Sequence, residues 1–173
     1  MSNIKLALFR AHQGDPLSNV IQAETRTVYT HAALLVNPDA HEISEAYFPH
    51  VRRRRLDDAE LGGIDFFDVE GLTPAGEAGV LKYCAEAEAV QEPYSLENLA
   101  RFSPLLRKLL GEAQDMSVHA PVICSQYAFD ALDRGAGIKL LNAPSYELAP
   151  GYLAWSPKLV QSAPLKPLAG ANS

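Results

Sequence analysis

The chain has 173 residues, 47% hydrophobic and 21% charged, with a formal net charge of -6. That size and balance suit one compact domain with a real core, and the acidic balance argues against a nucleic-acid surface. Two cysteines, Cys84 and Cys124, are too few for a disulfide scaffold. The start Met1-Ser2-Asn3-Ile4-Lys5 lacks the basic stretch and sustained apolar core of a signal peptide. No apolar run approaches the roughly 18 residues of a membrane span, so the expectation is an unexported protein of a reducing compartment.

In chain order, Ile4–Phe9 has strand character and Gln13-Gly14-Asp15-Pro16 is a turn. Ser18 is a cap for a short helix over Asn19–Ala23, anchored by Val20 and Ile21. Val28–Val36 predicts a strand buried on both faces, closed by Asn37-Pro38-Asp39, with Glu42–Tyr47 as its hairpin partner. Residues on one face of an antiparallel pair approach to about 5 Å, close enough for Glu45 to orient His31.

Val51–Leu56 carries Arg52, Arg53, Arg54 and Arg55, and strand alternation sends two to each face. The run reads as an edge strand protected from pairing by charge, or in part as an anion site. Ile64–Val69 is a further strand. Thr73 caps, and Pro74 opens, a helix to about Val90 in which Cys84 is a small hydrophobe. Glu92–Ala120 reads as an insertion, with helical starts at Pro93-Tyr94-Ser95 and Ser103-Pro104 and with Leu105, Leu106, Leu109 and Leu110 packing on a core. After the Cys124 helix, Gly135-Ala136-Gly137 ends the pattern. A tail containing Pro144, Pro150, Pro157, Pro164 and Pro167 wraps the domain, with disorder expected from about Pro164 to Ser173.

Cys124 stands where the apolar run Pro121-Val122-Ile123 gives way to a helical pattern. At a first helical turn the unpaired N–H groups and the positive end of the macrodipole favour the thiolate, the form that attacks carbonyls. Such a nucleophile needs a base, and His31 opens the apolar run Ala32-Ala33-Leu34-Leu35-Val36. His119, five residues before Cys124, competes for that role but would need a tight reversal to aim at the thiol. No metal is expected, since His12, His31, His41, His50 and His119 fall in no HExxH spacing and the cysteines form no CxxC pair. The glycines fit no phosphate loop, so no cofactor is expected.

His31 in Tyr-Thr-His-Ala-Ala-Leu-Leu-Val, Glu45 in Ile-Ser-Glu-Ala and Cys124 in Ile-Cys-Ser-Gln-Tyr-Ala resemble, in that order, the circularly permuted NlpC/P60 papain-like superfamily. That is the YiiX/YaeF-like group and, more distantly, lecithin:retinol acyltransferase. Histidine before cysteine is the permuted order, and Tyr94-Ser95 and Leu148–Pro157 add to the likeness. Glutamate often stands near the cysteine in that group, where this chain has Ser125-Gln126.

The resemblance implies an α+β, permuted papain-like domain over residues 1–163, an antiparallel sheet packed on helices with the nucleophile at a helix N-terminus, an insertion at about 92–120 and a tail from 164. It implies Cys124 as nucleophile, His31 as general base and Glu45 as the group orienting the imidazole. The activity implied is a cysteine hydrolase (peptidase, amidase or acyl hydrolase) forming a thioester acyl-enzyme on a peptide, amide or acyl-ester substrate. The Cys124 backbone N–H, Tyr29 and Ser125 are candidate oxyanion or substrate contacts. Two rivals share the fold: a non-catalytic structural or interaction protein associated with a phage particle or secretion, and an acyltransferase on lipids. The expected location is the cytoplasm, or a virion if the chain is phage-encoded.

Overall fold

The computed structural model describes residues 3–11, 22, 23, 25–95 and 122–168. Strands β1 (Lys5–Arg10), β2 (Tyr29–Asn37), β3 (Glu42–Tyr47), β4 (His50–Arg55), β5 (Ile64–Val69) and β6 (Leu159–Gln161) form one sheet in the order β4-β3-β2-β1-β5-β6. Every pairing is antiparallel. Helices α1 (Pro74–Ala89), α2 (Cys124–Ala136) and the single turn α3 (Pro150–Leu153) complete an α+β fold.

The central strands are apolar on both faces because both faces are covered. On one face Leu6, Leu8, Ala32 and Leu34 meet Val80 and Cys84 of α1 and Tyr127 and Leu132 of α2. On the other, Ala7, Ala33, Leu35, Ile43 and Phe66 are closed by Leu56, Leu61 and the tail residue Leu165. Helix α1 begins as expected, with Pro74 in its first turn and the Thr73 hydroxyl accepting the Gly76 N–H at 3.2 Å. Helix α2 ends on Gly137 in the left-handed region at φ 68°. The two helices cross so closely that a Cβ on Gly79 would stand 1.9 Å from the Gly135 carbonyl oxygen. That contact sets α2, the helix that begins at Cys124, closely against α1.

Several expectations are revised. Pro93 and Tyr94 themselves run extended, bridging to His50 and Val122, because the Tyr94 N–H donates to the Pro49 carbonyl at 2.9 Å and the Val122 N–H to the Pro93 carbonyl at 3.1 Å; the helical stretch expected after them lies outside the described residues. The tail forms β6 against β5 as well as wrapping the domain. β4 is the sheet edge, as its charge implied. Arg52 and Arg54, however, point to Glu45 rather than to water. The turn at 13–16, the Ser18 cap, most of the 92–120 segment, His119 and the last tail residues lie outside the described residues.

Candidate active site

β2 and β3 pair from Asn37↔Glu42 to Leu34↔Ser44, where their register ends, while β3 stays paired with β4 as far as Tyr47↔His50. The open end of β2 is held by β1 alone, with an irregularity between Phe9↔His31 and Arg10↔Tyr29. The two strands thus part just where His31 and Glu45 lie. The first residue of α2 fills the gap. The Cys124 sulfur accepts the Ala32 backbone N–H, which β3 no longer takes up, and the Ser125 N–H of its own helix. Ile123, the residue before the helix, has no side-chain acceptor for these first-turn donors, so they remain for the sulfur.

His31 joins the two sides of the gap. Its Nε2 lies 2.8 Å from Glu45 Oε2, which leaves Nδ1 as the nitrogen for the Cys124 thiol. The ring is held edge-on by Phe9, with centroids 5.0 Å apart, and by Tyr47 at 5.9 Å. Cys124 is buried, whereas the His31 side chain keeps 18% of its surface open, so the imidazole is the solvent-facing flank of the cluster.

Glu45 is fully buried and ionised. Its Oε1 accepts from Arg52 Nε at 2.9 Å and Arg54 Nε at 2.8 Å. Arg54 spends its other two nitrogens on Glu60, both at 2.9 Å, and Arg52 lies over the Tyr47 ring at 4.2 Å. The anions served by Arg52, Arg53 and Arg54 are therefore the protein's own carboxylates, Glu45, Glu88 and Glu60.

The electrostatics follow from these contacts. Burial alone would push the Cys124 thiol up, but the His31 charge and hydrogen bond and the two backbone N–H donors outweigh it and hold the thiol below its ordinary value. Burial likewise works against the His31 cation, yet the Cys124 thiolate and then Glu45 raise it to about 10. Glu45, against its own burial, is drawn down to about 2 by His31 and Arg54. These contacts favour a thiolate–imidazolium pair backed by a carboxylate.

Of the residues expected from sequence, Cys124, His31 and Glu45 come together. Tyr29 does not join them, which corrects its assignment as an oxyanion donor: its hydroxyl donates to Asp65 at 2.7 Å, across β1 and away from the gap that holds Cys124. The Ser125 hydroxyl is also committed elsewhere, donating to the Leu148 carbonyl at 2.5 Å, so its backbone N–H alone serves the site. Tyr94 is the residue that sequence reasoning left without a role. Its hydroxyl bonds to Cys124, and burial followed by the thiolate charge keeps the phenol protonated and a donor. In the sequence Tyr94 was marked only by the Pro93-Tyr94-Ser95 segment and by the Tyr94-Ser95 pair that adds to the family likeness, neither of which gives it a role. Cys84, buried in α1, has its thiol pushed up by burial and is the inert counterpart.

No family model and no curated protein matches the chain. Among solved structures it is similar to the crystal structure of the metalloprotein yiiX from Escherichia coli O157:H7, a DUF1105 protein. The likeness has a TM-score of 0.67 at 14% identity and covers 96% of this chain and 98% of that one. An agreement of that extent, at an identity too low to carry chemistry, establishes that this chain has a yiiX-like fold.

Proposed function

We propose that the protein is a cysteine hydrolase of the permuted NlpC/P60 papain-like type, cleaving an amide or ester bond through Cys124, His31 and Glu45. The carrying observation is the buried Cys124 thiol set between the His31 imidazole and two backbone N–H donors, with His31 Nε2 fixed 2.8 Å from Glu45. The Cys124 thiolate attacks the carbonyl carbon, and the carbonyl electrons move to oxygen. The Ser125 N–H of α2 and the Tyr94 hydroxyl, both of which bond to the Cys124 sulfur, are the donors this reading assigns to that oxyanion. On collapse the C–N or C–O bond breaks, and the imidazolium gives its proton to the departing amine or alcohol. Water, deprotonated by neutral His31, then attacks the thioester and releases the acid and the Cys124 thiolate.

yiiX is called a metalloprotein, and the described residues of this chain do not fit a metal. Among the described residues no group of three or more His, Cys, Asp or Glu could hold one. In the Cys124–His31–Glu45 set, both carboxylate oxygens are already taken by His31, Arg52 and Arg54. Among the described residues no helix is long and apolar enough to cross a membrane.

Incubation with p-nitrophenyl acetate, followed by rapid acid quench and peptide mass spectrometry, tests the reading. Acetyl-thioester on Cys124, absent in Cys124→Ala, is the expected result, with nitrophenol released in a burst. Transfer of the acetyl group to an added amine in preference to water would make the same site an acyltransferase. Equal acetylation of Cys84 and Cys124, or of neither, would contradict the proposal.

A further inference from the structure

Glu45 divides its two oxygens between different partners. Oε2 is given to His31, while Oε1 is bound by two guanidinium groups, Arg52 and Arg54. The two arginines are not equivalent. Arg52 is 39% exposed and rests on Tyr47, itself an exposed residue at the β3–β4 turn. Arg54 is 26% exposed, and its far edge is gripped by both oxygens of Glu60. Glu60 is itself fixed, since its Oε2 accepts the Asp57 N–H at 2.8 Å. A bidentate guanidinium–carboxylate pair is planar and directional, so a chain of contacts runs from the Asp57 backbone through Glu60 and Arg54 to one chosen oxygen of Glu45.

We propose that Arg54, clamped by Glu60 and assisted by Arg52, is a positioning residue that fixes the Glu45 carboxylate with Oε2 toward His31 Nε2, and thereby sets the tautomer and orientation of the base. This inference rests on the hydrolase reading above and adds to it a group that does not touch the reacting atoms. The need for such a group is physical. Beyond Leu34↔Ser44, β3 loses its hydrogen bonds to β2 and relies on the edge strand β4 to hold Glu45 in place. Arg54 belongs to that edge strand and ties it, through Glu60, to the loop that follows.

The charged and titratable groups around Glu45 are His31 from β2, Arg52 and Arg54 from β4, Glu60 from the next loop, Cys124 beyond the imidazole, and Tyr47 and Tyr94 at the margin. Arg54→Lys keeps the positive charge and removes the fork, which separates geometry from charge. Its test is the NMR titration of the His31 ring together with the pH profile of Cys124 alkylation by iodoacetamide.

In Arg54→Lys the His31 titration should fall and the thiolate limb of Cys124 should rise, each by about one pH unit, which is tenfold in the ionised fraction on the limb. Glu60→Gln cuts the clamp from its far side and should move both in the same directions, so the inference can be read even if Arg54→Lys does not fold. A pair used for stability alone would lower the melting temperature and leave both profiles where they are. Unmoved profiles in folded variants overturn the positioning role while leaving the hydrolase reading intact. A wild-type Cys124 with no thiolate below about 8.5 is a different result, which removes the hydrolase reading and the positioning role with it.

Discussion

His31→Ala is expected to lower turnover of an amide or ester substrate by roughly 10²–10⁴-fold, the usual worth of a positioned general acid–base group. It should also move the thiolate limb of Cys124 alkylation to about 8.5 or above. Both effects come from one contact. Burial opposes the Cys124 thiolate, and the imidazolium is the largest of the influences that reverse this. With the cation gone, the Ala32 and Ser125 N–H groups remain but face a thiol that burial pushes up. The alkylation rate near pH 6 should fall by only about tenfold, because a more basic thiolate is a better nucleophile and offsets part of the lost ionisation. The shift of the limb is therefore the more telling readout. His31 packs edge-on against Phe9 and Tyr47 and keeps some exposure, so the variant should stay folded, which circular dichroism checks. A folded His31→Ala protein with wild-type turnover and alkylation would remove His31 from the site.

Glu45→Ala should produce the largest loss of stability, about 3 kcal/mol, the low end of what breaking a buried charge pair costs. Glu45 is wholly buried, and its removal leaves a cavity and strands the inward-turned heads of Arg52 and Arg54. Those arginines are partly exposed and can turn to water, which keeps the loss from the upper end of the range. The exposed Lys82–Glu86 pair of α1 gives the contrast, since its removal should change stability by no more than about 0.5 kcal/mol.

Acid titration carries the same information. In the folded protein Glu45 is drawn down to about 2 from an ordinary 4.5, so its contribution is fully present above 4.5 and is lost as pH falls toward 2. Wild-type and Glu45→Ala proteins should therefore differ most in chemical denaturation near neutral pH and converge as the pH is lowered through that window. A constant difference across the window would show that Glu45 is not held as a buried carboxylate.

Much of the sheet was legible because its strands obey local rules. The doubly apolar run at β2, the Asn37-Pro38-Asp39 stop and the hairpin partner around Glu45 follow from hydrophobic pattern and turn chemistry, and they bring the His31 and Glu45 side chains within reach of each other. Thr73-Pro74 announced α1 for the same reason. What escaped depended on contacts distant in sequence. Tyr94 is drawn into an extended course by Pro49 and Val122, against a local pattern that resembles a helix start. Tyr29 sits two residues from His31, yet its hydroxyl is taken by Asp65 on β5, a partner that no spacing reveals. The arginine run read as a charged edge, and it is one, but the destination of Arg52 and Arg54 became visible only once β4 was paired to β3 at Glu45↔Arg52. β6 is three residues long, and nothing in its composition distinguishes it from the surrounding tail.

An activated nucleophile requires that one thiol, Cys124, ionise below its ordinary value. The pH dependence of iodoacetamide labelling of the native wild-type chain, resolved by mass spectrometry, compares Cys124 with Cys84 inside the same molecule. Cys124 should be labelled selectively, with a midpoint well below the free-thiol value of about 8.5, while Cys84, buried in α1 with its thiol pushed up, stays silent until the protein unfolds. Labelling of Cys124 only at or above that value, or only together with Cys84 on unfolding, would contradict an activated cysteine nucleophile.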